Sequence, residues 1–210
     1  ASASSPEPGV RPTFKKLATI GSIAIGLTTI ALYLQLNFVE ALHLNNQQQG
    51  PIHKLLLPFF ILTIVLFVAR MPARRMGYTL LQIATAVMFF GGLFNLVSTF
   101  ASSTLPDAHL VYLNLKPEEL PARLLSIEFA LIRTLGTSMM AAAIGAWLLL
   151  MGPIKNGSKQ ALVGLVVMIT LVEGDNSIAL YSIGMLFYLY TALTVIMAWV
   201  GAIIWWKSQD

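Results

Sequence analysis

The sequence predicts an all-α integral membrane protein, a polytopic bundle of about six transmembrane helices with both termini on the cytoplasmic side. Three observations predict it. The mean hydropathy is +0.76 and only 10% of the residues are charged, against about a quarter in a soluble domain. Long apolar segments cover residues 17–44, 55–71, 76–105, 120–151 and 161–206. A helix needs about 20 residues to cross a hydrocarbon core of about 30 Å, so the last segment must hold two spans. The basic residues are also unevenly shared between the two ends of this threading. Arg11, Lys15, Lys16, Arg70, Arg74, Arg75, Lys155, Lys159 and Lys207 fall on one side, and Lys54, Lys116 and Arg123 on the other. The richer side is the cytoplasmic one by the positive-inside rule. Five spans would strand Lys207 outside.

Residues 1–16 are polar, contain Pro6, Pro8 and Pro12, and read as a cytoplasmic tail. Residues 17–207 form one bundle domain. The first apolar run is too long for the core of a cleaved signal peptide and reads as a retained span. The second, 55–71, is short and needs flanking residues to complete it. The link 103–121 is the longest outer connection, and its "AHLVYLNL" reads as a short amphipathic segment at the interface. Pro121 suits the first turn of the fourth span.

The last segment carries "LVEGDNSIALYS", an unusual concentration of polar groups. Gly174, Asp175 and Asn176 suit a turn, but a turn there leaves the fifth span about 18 Å long. A turn at Ser182-Ile183-Gly184 divides the segment evenly but buries Glu173 and Asp175 just past the midplane. A third possibility is a helix unwound at Gly174, as in transporters. On a continuous helix Glu173, Asn176 and Ser177 share a face and Asp175 opposes them.

Other spans place polar groups at similar depth. Counted from the basic end, Gln35, Asn95 and Arg133 lie about 27–28 Å up and Asn37 about 31 Å. Arg133 keeps its proton and must either snorkel or pair; Glu173 and Asp175 are the expected partners. Arg133, Thr137, Ala141 and Gly145 form one small-residue stripe, and Gly91, Asn95, Ser98 or Thr99, and Ser102 another. Such stripes favour close helix packing. Trp205, Trp206 and Lys207 read as an interfacial anchor.

Absent cysteine excludes disulfides, thiolate catalysis and Cys-ligated metals. The net charge of +4 is scattered over helix ends rather than gathered on one face, so nucleic acid is not an expected partner. No phosphate loop, nucleophile elbow or HExxH occurs, and no cofactor is expected. Glu40, His43, His53 and His109 are the weak alternative for a metal site, without a specific ligand spacing.

The leading reading is a membrane protein that binds a lipid or hydrophobic small molecule. Its polar pocket would lie in the outer half of the bilayer. Asn37, Asn95, Arg133, Asn176 and Tyr181 would bind the ligand, and Glu173 or Asp175 would serve as acid/base for proton transfer or isomerisation. The rival readings are an accessory subunit that packs against other membrane subunits, and a proton- or ion-coupled transporter. A bacterial inner membrane is the expected location.

Overall fold

The computed structural model describes residues 46–105 and 107–209. The first apolar segment, the tail, and Gln35, Asn37, Glu40 and His43 lie outside the described residues. So does the side chain of His53. Among the described residues there are six α-helices and no strand: α1 (Asn46–Val68), α2 (Ala73–Ala101), α3 (Asp107–Leu113), α4 (Ala122–Leu149), α5 (Lys159–Ser182) and α6 (Tyr188–Lys207). Four of them, α2, α4, α5 and α6, are long and apolar enough to cross a membrane. The chain is a membrane protein. Helix α1 extends the short second segment N-terminally to Asn46 through largely polar residues, and only its Leu57–Val68 part is apolar.

Sequence-local chemistry places the helix ends. Pro72 and Pro121 immediately precede α2 and α4, where a missing N–H costs nothing. Pro153 widens the end of α4 into a π turn over Leu150–Ile154. The Leu150 carbonyl there accepts from the Lys155 amide at 3.2 Å and from the Tyr78 hydroxyl at 2.8 Å. Ser158 caps α5 by accepting from the Ala161 amide at 3.2 Å.

The far end of α5 decides how the last apolar segment divides. Gly184 has φ +77°. Its amide donates to the Tyr181 carbonyl at 3.0 Å, and the Met185 amide to the Leu180 carbonyl at 2.9 Å. These two bonds make a Schellman stop, which needs the left-handed conformation that glycine adopts freely. The division therefore falls at Ile183–Gly184, and α5 runs unbroken through Gly174. Neither an exposed turn nor an unwound helix occurs at "EGDN".

Helix α2 is central, packed against α4 on one side and α6 on the other, while α5 packs on α6 and more lightly on α4. Glycines bring the backbones together at both α2 interfaces. A Cβ on Gly92 would lie 2.6 Å from the Gly136 carbonyl oxygen, and one on Gly77 2.5 Å from the Trp205 amide nitrogen. Small residues give a membrane bundle its close van der Waals approach, because lipid tails supply no hydrophobic drive between helices.

The buried face of α4 is Gly136, Met139, Ala143 and Ala146, one step round from the expected Arg133, Thr137, Ala141 and Gly145 stripe. Thr137 and Ala141 are exposed, and Gly145 has open space beside it. Spacing by four fits both faces; bulky Met139 among the small residues hides the right one. The expected Trp205–Trp206 anchor also divides. Trp205 is buried at 1% exposure against the Gly77 crossing, and only Trp206 faces outward, with Lys159 Nζ 4.8 Å from its ring centroid.

Candidate functional site

The core stripe of α5 runs Leu162, Leu165, Val166, Ile169, Glu173, Asn176. The spacing of three and four keeps one face toward the bundle, so Glu173 occupies a position that the stripe otherwise fills with aliphatic residues. Glu173 is 1% exposed and Asn176 6%. Asp175 sits on the opposite face, exposed, as the helical wheel requires.

Three helices converge on this layer. The Asn176 amide of α5 donates to Met139 Sδ of α4 at 3.9 Å, and the Asn95 amide of α2 donates to the same sulfur at 3.6 Å. A thioether is a weak acceptor, so both amides hold hydrogen-bonding capacity in reserve. Asn176, one turn beyond Glu173, is the polar neighbour of its carboxyl. Among the described residues Glu173 Oε1 is buried without a hydrogen-bond partner. Ser177 Oγ donates to the Tyr188 carbonyl at 3.1 Å and ties this end of α5 to the start of α6. Buried Thr194 is satisfied by its own helix, donating to the Tyr190 carbonyl at 2.9 Å.

Arg133 is not part of this cluster. Its Nε donates to Thr99 Oγ1 at 2.9 Å and its Nη2 to the Thr99 carbonyl at 3.3 Å. The guanidinium carbon lies 4.4 Å from the Phe100 ring centroid. No carboxylate among the described residues reaches it within ion-pair distance. The expected pairing with Glu173 or Asp175 is thus replaced by a half-buried contact near the end of α2. Thr99 supplies two oxygens and Phe100 a ring face there, which hold a cation without an acid.

Tyr181 is 68% exposed and packs edge-on against Tyr188 at 5.2 Å, away from the buried cluster. His109 Nδ1 lies 3.5 Å from Glu128 Oε2, which joins α3 to α4. Burial lowers the His109 pKa, and the Glu128 charge and hydrogen bond oppose that shift. Among the described residues no three His, Asp or Glu side chains gather as a metal site.

Of the expected site residues, then, Glu173, Asn176 and Asn95 come together, whereas Arg133, Asp175 and Tyr181 stand apart. Met139 and Thr99 are the contacts that sequence reasoning missed in these roles. Thr99 belonged to a recognised small-residue stripe. Met139 carries no signal beyond being apolar, because its sulfur matters only once three helices meet on it.

What the fold and the cluster define is a helical integral membrane protein with a buried, under-satisfied polar layer. No family model, curated protein or solved structure matches the chain.

Proposed function

We propose that the chain is a membrane protein that binds a lipidic small molecule and receives its polar group at the Glu173–Asn176–Asn95 layer. The observation that carries this reading is the Oε1 of a carboxyl that is 1% exposed and has no hydrogen-bond partner among the described residues. An ionisable residue inside a membrane span is costly, and its retention points to a function. The Asn95 and Asn176 amides of the layer each donate to a thioether, at 3.6 and 3.9 Å. A ligand hydroxyl or carbonyl offers both a better partner. Glu173 is also the group able to take up and return a proton, so proton transfer or isomerisation on the bound molecule is the chemistry open to this layer. Asp175, on the opposite face, is not required.

The same proposal threads six spans with the basic end cytoplasmic, in a bacterial inner membrane. Arg70, Arg74, Arg75, Lys155, Lys159 and Lys207 cluster at that end, with no carboxylate among the described residues there, which supports the orientation.

The accessory-subunit reading keeps one specific support: Asp175 is exposed on a span. A carboxylate facing lipid is unfavourable, so that face suits another protein segment. The transporter reading loses the interrupted helix that motivated it, since α5 is continuous.

The experiment is ligand retention. The wild-type protein and Glu173→Gln are purified in parallel from the same membranes, and their co-purifying lipids are extracted and compared by mass spectrometry. The proposal expects an amphiphile enriched with the wild type and depleted from the variant at equal yield of folded protein. Identical lipid profiles would contradict it.

A further inference from the structure

A second feature lies at the opposite, basic end and is independent of Glu173. Two hollows, of about 560 Å³ and about 330 Å³, run along the α2–α4 pair and share Ala86 and Trp147, and the larger is also lined by Phe67 of α1 and by Met71. They therefore form one continuous groove. The wider part, at the basic end, has Arg75, Thr79 and Gln82 in its lining. The narrower part continues between Phe89, Phe90 and Ile144. On α2 these residues follow one face at steps of three and four.

The order of chemistry along this face is charge, then uncharged amide, then hydrocarbon. Gln82 lies about 10 Å beyond Arg75, and Phe90 about 22 Å beyond it, at 1.5 Å per residue. One leaflet with its headgroup region is half of about 40–45 Å, so the groove has the length of one leaflet. A glycerophospholipid presents the same sequence from its phosphate through its ester carbonyls to its acyl chain.

The sign of its charge follows from the surroundings. Arg74 and Arg75 are exposed, and Arg70 and Lys155 stand at the same end of the bundle. No carboxylate among the described residues is present there to receive the amine of a zwitterionic headgroup.

We propose that this groove seats an anionic glycerophospholipid, with its phosphate at Arg75, an ester carbonyl at the Gln82 amide and an acyl chain along Ala86 and Phe90. Trp147, shared by both parts and 40% exposed, serves as the reporter.

The test reconstitutes the full chain in phosphatidylcholine vesicles that contain a minor proportion of brominated lipid, either phosphatidylglycerol or phosphatidylcholine. Bromine quenches tryptophan at contact distance, and the difference between wild type and Trp147→Phe isolates the groove. The proposal expects stronger quenching by brominated phosphatidylglycerol. Arg75→Gln should reduce that preference about tenfold, the equivalent of about 1.4 kcal/mol for the loss of a direct contact to a charged group. Lys207→Gln removes a cation at the same end but outside the groove, and should leave the preference unchanged. Equal quenching by both lipids, or an equal loss in Arg75→Gln and Lys207→Gln, would overturn the site. Failure of either lipid to quench Trp147 would mean that another segment, such as residues 1–45, fills the groove, and would overturn it too.

Discussion

Arg133 and Thr99 are joined twice across the α2–α4 interface, through the threonine hydroxyl at 2.9 Å and its carbonyl at 3.3 Å. This contact removes Arg133 from the buried carboxyl with which the sequence suggested it would pair. It also leaves Glu173 without a cation among the described residues.

Thr99→Val keeps the shape of the side chain and deletes the hydroxyl that accepts from Arg133. A hydrogen bond to a charged group contributes about 1.5–3 kcal/mol, so the variant should lose stability in that range. Thermal unfolding in detergent measures it. Arg133→Met combined with Thr99→Val should cost much less than the sum of the two changes, because the pair acts as a unit.

The glycines separate sharply by position. Gly92→Ala and Gly77→Ala each place a Cβ within 2.6 Å of a neighbouring helix backbone. Such overpacking costs about 1–3 kcal/mol or more, and here it must also push α2 away from α4 or α6. Gly145→Ala meets nothing within 4 Å among the described residues and should be neutral or gain up to about 1 kcal/mol from helix propensity. Parallel melting curves of the three variants check the contrast.

Much of this architecture was legible in the sequence. Apolar length gave the spans that the structure describes, whereas three divisions of the last segment stayed open until the Gly184 stop decided among them. The wheel positions of Glu173 and Asp175 follow from helical period and set them on opposite faces; the packing of α5 decides that Glu173 is the buried one. The partner of Arg133 was not legible, because a hydroxyl and a carbonyl can satisfy a guanidinium and neither stands out in a sequence. The α4 packing face was missed because small residues recur on two adjacent stripes. Met139, the hub of the polar layer, is indistinguishable by type from any core methionine.

Burial of His109 makes the docking of α3 sensitive to pH. Burial holds the folded-state His109 pKa below its ordinary value, so the unfolded or undocked segment binds more protons as pH falls through about 6.5. Docking is therefore fully present above that pH and weakens below it, down to the folded-state pKa. The chain has no cysteine, so Tyr112→Cys, on an exposed α3 position, accepts a single spin label. Its spectrum should become more mobile on acidification. His109→Gln should abolish that pH response.

The proposed orientation makes a labelling prediction. A cysteine at exposed Asn156 should react with a membrane-impermeant maleimide only from the cytoplasmic side, and one at exposed Ser103 only from the opposite side. The reverse pattern would invert the assignment of the basic end.

The most direct test of the polar layer is the thermal unfolding of ligand-stripped protein carrying Glu173→Leu. If the carboxyl, whose Oε1 has no partner among the described residues, is kept for ligand binding, replacing it by an apolar side chain should leave the protein as stable as the wild type or more so, since a buried polar atom loses its penalty. Loss of about 3–5 kcal/mol, the cost of breaking a buried charge pair, would show instead that Glu173 holds the bundle together and would contradict its role as a binding group.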